Sequence, residues 1–330
     1  MRFIAAMWVA LSHGAALPLK AMLHGWGTTG YVIAAIHSVL FNGVAAVTVF
    51  FVISGFCIHY PYAGAPKLDT VGYLIRRYVR IGIPLLACLA ILSLCNDEIG
   101  RAGNGVLWSI YCELIYYSLY PLLRPAFARF GIARLLGLSA LVAFAMIVTH
   151  WSYVRTWQFG IGLTWTIGLP SWLVGCLLAE RAASGRGSVR RGPVWAWRAV
   201  AWCYTIAAGL LVGHSPVVIG APATSLLFSF YCLFWLDREL LGYATVAPLK
   251  RLEWCGTWSY SLYLTHAMVI TAWTSLLLPL PALVNWALEI LVIIACALAF
   301  HFAVERPSHL LARKLARNYW SARQREAPAG

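Results

Sequence analysis

MRFIAAMWVALSH, residues 1–13, decides how this chain is read. Arg2 and His13 bracket an apolar interval whose only other polar side chain is Ser12. A charged group inside a lipid-spanning helix costs about 2.5–3.5 kcal/mol on insertion scales, so it tends to face a protein interior and act there. At 1.5 Å of rise per residue, the step from Arg2 to His13 is about 16 Å, half of a ~30 Å hydrocarbon core. The expectation is an arginine at the membrane surface and a histidine near the midplane.

The rest of the chain supports a membrane reading. Of 330 residues, 61% are apolar or aromatic and 11% are charged, against about a quarter charged in soluble domains. Apolar stretches at 3–19, 43–60, 81–96, 106–123, 133–150, 160–179, 196–213, 217–236, 257–278 and 284–303 predict ten spans. The fold class expected is all-α: a polytopic membrane protein with about ten transmembrane helices. Residues 29–42 are apolar but short, and read as a re-entrant or interfacial piece. Met1-Arg2 and the apolar run after it resemble a signal peptide, yet no cleavage site is clear and Pro18 and Lys20 follow closely. The segment is therefore read as the first span.

The net charge of +14 first suggests nucleic acid. With Met1 taken as cytoplasmic, however, only Lys20, Arg101 and Arg155 of the 25 basic residues fall on outer segments. That asymmetry is the positive-inside pattern, and it predicts cytoplasmic termini in the cell inner (plasma) membrane. Basic residues then meet lipid headgroups, and no nucleic-acid partner is needed. A Gly/Ser/Arg stretch at 182–194 reads as a linker. Residues 1–305 form the expected membrane domain and 306–330 a basic tail, with Leu310, Leu311, Leu315 and Tyr319 at the spacing of an interfacial amphipathic helix. Nine scattered cysteines form no CxxC or Cys/His cluster, so neither a disulfide framework nor a metal site is predicted.

Several polar residues share a depth. Counted from the inner ends of their spans, His13 lies about 16 Å in, Glu113 about 15 Å and His266 about 13 Å, with Ser54 and Tyr263 within ~9 Å of the inner face. A neutral imidazole with a pKa near working pH suits general-base removal of a hydroxyl proton. Glu113 is the carboxylate expected to fix its tautomer, as in triad chemistry. Arg77 and Arg80, in the run Arg76–Arg80 before the third span, lie three apart on a helix and offer a phosphate clamp. Trp108 offers an aromatic face for a sugar, and Glu305-Arg306-Pro307 reads as ordering the arginines or capping a helix end. His24, His37, His59, His150, His214, His301 and His309 read as structural. No P-loop, GxSxG, HExxH or GxGxxG signal is present.

In this order the motifs resemble the acyltransferase-3 family of integral-membrane O-acyltransferases. Arg2 and His13 match the first-span arginine–histidine pattern, and FFVISGF (50–56) matches the second-span signature. Arg77, Arg80, Ile81 and Pro84 match an RxxRI..P element, and LWSIYCELIYY (107–117) puts Glu113 on the family glutamate. YSLYLTH (260–266) and Glu305-Arg306-Pro307 match the late elements. Cys112 departs from the small or aliphatic residue common there, and Arg2 is nearer the start than usual.

The resemblance implies acyl transfer from a cytoplasmic acyl-CoA, most often acetyl-CoA, to a hydroxyl of a sugar, surface polysaccharide or lipid-linked glycan. It implies that Arg2, Arg77 and Arg80 hold the donor phosphates and that His13 is the essential residue, as base or as transient acyl carrier. Ser54, Trp108, Tyr263 and His266 are expected to line the acceptor site. The donor is a substrate, and no permanently bound cofactor is expected. The partners expected are acyl-CoA, a glycan acceptor and membrane lipids, with the acceptor handled in the membrane domain or by a separate extracytoplasmic protein. The competing reading is a lipid-linked glycan transporter or flippase, which the lack of internal symmetry disfavours.

Overall fold

A computed structural model describes residues 1–64, 68–185, 193–214, 219–245, 249–276 and 278–326, and among these the regular structure is entirely helical. Most of the expected 182–194 linker, and with it Arg186, Arg190 and Arg191, lies outside the described residues, as does Lys67.

The first helix, α1 (Arg2–Ala10), continues through a π-helical turn, Leu11–Ala15. It stops where Gly14 takes φ +125° and Ala16 turns extended. Helix is thus lost four residues before the expected end of span 3–19, and fourteen residues of it cover only about 21 Å. His13 consequently sits at the end of a short helix rather than halfway along a full span. Short α2 (Leu19–Met22) and α3 (Gly27–Ser38) follow. The apolar side chains of Tyr31, Ile33 and Ile36 on α3 are exposed.

Asn42 caps α4 (Gly43–His59) by accepting from the Ala45 amide at 3.1 Å. After it come α5 (Thr70–Leu94), α6 (Asp97–Val106), α7 (Trp108–Phe130), α8 (Ile132–Thr149) and α9 (Gly160–Ala183). The arginine run expected just before the third span lies inside α5. The remaining helices are α10 (Val194–His214), α11 (Ala221–Thr245), α12 (Lys250–Thr257), α13 (Ser259–Ser275), α14 (Ala282–Phe300) and α15 (Arg306–Glu326).

Against the expected ten spans, six helical stretches among the described residues are long and apolar enough to cross a membrane, or seven if α6 and α7, bent by 40°, count as one. Other expected spans fall on helices that are short, as with α1 and the 17-residue α13, or that carry charge, as with Asp237, Arg238 and Glu239 on α11.

Close packing of α4 on α9 anchors the core. A Cβ at Gly55 would lie 1.9 Å from the Trp172 carbonyl oxygen, and one at Gly175 would lie 2.0 Å from that of Val52. Small residues on both helices therefore let the backbones meet, the usual device for helix association in lipid. Around this contact Tyr73, Tyr116, Tyr120 and Trp172 are fully buried. The Tyr116 hydroxyl is satisfied internally by the Trp165 carbonyl at 2.7 Å. α13 is buried on nearly every side from Ser259 to Ile270, with α1, α6 and α14 packed around it. α15 lies along α5, burying Ser308, Ala312 and Ala316 and exposing Leu310, Leu311 and Leu315.

Candidate active site

Where α1, α4, α5, α7 and α13 converge, a chamber of about 770 Å³ including its open mouth is lined by three guanidinium groups, Arg2, Arg77 and Arg80. Glu113 and Glu305 supply carboxylates, and Ser54, Ser109, Tyr117, Tyr260 and Tyr263 supply hydroxyls. Three fixed cations against two carboxylates leave the chamber cationic, because guanidinium does not deprotonate in proteins.

Each arginine is held differently. Arg2 opens α1, with Cys57, Tyr117 and Glu113 nearby. Arg77 lies over the rings of Tyr73 and Tyr117, at 5.8 and 5.9 Å. Its Nε is buried and without a hydrogen-bond partner. Such an unpaired buried donor is rare in proteins. Arg80 donates from Nε to His309 Nε2 at 2.9 Å.

Glu113 accepts from Ser54 Oγ at 2.6 Å and from the Tyr117 hydroxyl one turn further along α7. Ser54 and Tyr117 also touch, at 3.1 Å. The expected contact of Glu113 with His13 gives way to this hydroxyl network, since Glu113 lies in the chamber and His13 is not among its lining residues. Glu305, on a π-helical turn at residues 301–305, accepts from Ser261 Oγ at 2.5 Å and pairs with His301 at 2.9 Å.

His13 finds its partner on α13. Its Nδ1 lies 3.2 Å from His266 Nε2, and His266 Nδ1 lies 2.7 Å from the Tyr263 carbonyl oxygen. A carbonyl only accepts, so His266 carries its proton on Nδ1, and its Nε2 presents a lone pair. His13 Nδ1–H then donates to that lone pair, which leaves His13 Nε2 unprotonated. His266 is fully buried, whereas His13 is exposed.

Tyr263 joins the two regions. Its ring lines the chamber, its hydroxyl is bound by the Val106 carbonyl at 3.0 Å and Ser109 at 2.6 Å, and its ring centroid is 5.6 Å from that of His266. Trp108 does not line the chamber but packs edge-on against Phe51, which does, at 6.2 Å.

The structure thus brings Arg2, Arg77, Arg80, Glu113, Ser54 and Tyr263 into one chamber, with His13 and His266 paired beside it. Sequence reasoning overlooked Tyr117 and read His309 as structural. Tyr117 carried a usable signal, its i+4 spacing from Glu113 on a helix. His309 had only its i+4 spacing from Glu305.

Apolar helices of membrane-crossing length packed around a cationic chamber define an integral-membrane protein with a polar core. Over residues 1–306 the chain matches the family described as acyltransferase domain, and it belongs to that acyltransferase-3 family: it is a membrane acyltransferase. Comparison with curated proteins and with solved structures found no match.

Proposed function

We propose that this acyltransferase moves an acetyl group from cytoplasmic acetyl-CoA to a hydroxyl of a sugar, surface polysaccharide or lipid-linked glycan, from the cell inner membrane with both termini cytoplasmic. The observation that carries the reading is the arginine-lined chamber meeting the His13–His266 pair at Tyr263. Arg2, Arg77 and Arg80 take the donor phosphates, with the orphaned Arg77 Nε as one donor to them. The acyl end of the donor extends past Phe50 and Tyr263 toward His13, which sits eleven residues along the chain from Arg2.

At His13 the free Nε2 lone pair accepts the proton of the acceptor hydroxyl. The hydroxyl oxygen attacks the thioester carbonyl and forms a C–O bond. The C–S bond then breaks, and the departing thiolate takes the proton back from the imidazolium. His266 fixes the reactive tautomer, the task first expected of Glu113. Glu113 holds Ser54 and Tyr117 and balances the arginines before the donor arrives. The exposed face of His13 admits the acceptor, with Ser54, Tyr263 and His266 beside its path and Trp108 behind Phe51.

Purified protein in lipid nanodiscs tests this. With His13→Ala, coenzyme A binding should persist while acetylation of the glycan is lost. Acetylation that continues at the wild-type level would sink the proposal. Mass spectrometry of surface glycans with and without the gene identifies the acceptor.

A further inference from the structure

We propose that His309, on α15, is a positioning residue that holds the Arg80 guanidinium in place for the donor phosphates. This rests on the reading of the chamber as the donor site.

Arg80 keeps its Nε proton under all working conditions, so at 2.9 Å His309 Nε2 is the acceptor. The imidazole is therefore neutral, with its proton on Nδ1. With Nε committed to His309, the two Nη nitrogens of Arg80 remain as donors for the chamber that Arg80 lines. A long arginine side chain loses much rotamer freedom on binding a ligand, and a fixed acceptor at Nε removes part of that cost beforehand.

The surroundings make the acceptor rigid. The His309 side chain is 22% exposed, and the carboxylate of Glu305, one turn earlier, flanks it without a hydrogen bond between them. Glu305 is itself tied to Ser261 and His301. The neighbouring Ser308 hydroxyl donates to the Glu305 carbonyl at 2.7 Å and reaches the Arg80 carbonyl at 3.4 Å. The α15 helix that carries His309 packs along α5, which carries Arg80. His309 lies three residues past the part of the chain that matches the family, so the tail helix contributes to the site through a residue outside that match.

Titration of coenzyme A into the full chain in nanodiscs tests the assignment. His309→Leu removes the acceptor and should weaken coenzyme A binding roughly tenfold, the loss of one charge-assisted hydrogen bond. His309→Gln, whose amide oxygen accepts from Nε, should restore most of it. In an Arg80→Ala background, His309→Leu should add nothing. Equal affinity of His309→Leu and wild type, or full additivity with Arg80→Ala, overturns the role of His309. If Arg80→Ala alone leaves coenzyme A binding unchanged, the donor reading of the chamber fails instead. Should the leucine variant not fold, His309→Asn, too short to reach Nε, replaces it with the same expectation.

Discussion

Nδ1 of His13 lies 3.2 Å from Nε2 of His266, a residue 253 positions further along the chain. Because His266 spends its own N–H on the Tyr263 carbonyl, one bare nitrogen remains in the pair, and it is His13 Nε2. Replacing His13 by Ala should lower transfer about 10²–10⁴-fold, the worth of a general base. His266→Ala should cost about tenfold through the lost hydrogen bond. Single-turnover acetylation measures both, and equal rates for His266→Ala and wild type would remove the tautomer argument.

Arg77 makes a separate prediction. Arg77→Ala should weaken coenzyme A binding by about 10- to 150-fold, as expected for charge-assisted hydrogen bonds worth ~1.5–3 kcal/mol. Arg77→Lys should recover little, because an ammonium lacks the planar fork and the Nε donor. Calorimetric titration reads the difference; full recovery by lysine would mean that charge alone matters.

Glu113 is expected to act on stability as well as on activity. Glu113→Ala leaves the Ser54 and Tyr117 hydroxyls without their shared acceptor, a loss of about 1–3 kcal/mol. Glu113→Gln keeps an oxygen for Ser54 and should melt closer to wild type. Thermal unfolding in detergent compares them, and identical melting of all three proteins would contradict the hydroxyl network.

Gly55 and Gly175 set how close α4 and α9 can come. A side chain at either meets backbone at 2.0 Å or less, which no rotamer change relieves. Gly55→Leu should therefore destabilise by more than the ~1–3 kcal/mol typical of overpacking. Retention of the wild-type melting temperature would mean that the two helices are not in this contact.

Gly14 connects fold to chemistry. Its φ of +125° breaks the π-helical turn directly after His13, and an added Cβ would sit 3.3 Å from Ile270 Cγ2. Gly14→Ala should cost about 1–3 kcal/mol of backbone strain and lower transfer while leaving coenzyme A binding intact. A variant with unchanged turnover would show that the placement of His13 does not depend on this turn.

Much of the protein was legible in the residues. Low charge and long apolar runs dictate membrane helices whatever their arrangement, because an unpaired backbone cannot cross lipid. The arginines that line the chamber were legible too, since basic residues are costly near lipid and three of them fall in ordered motifs. The polar residues singled out by depth do gather on α1, α4, α7 and α13.

What depth along a helix cannot give is direction around it. Glu113 and His13 were placed at one level, yet the rotation of α7 aims Glu113 at Ser54, while α13 brings His266 to His13. The early end of α1 was likewise hidden, because a glycine in an apolar run takes a positive φ only where its neighbours require it. Composition and spacing fixed the class of protein and its charged cast. Which imidazole meets which, and that the tail helix grips Arg80, followed only from tertiary packing, which brings together side chains that no local sequence rule relates.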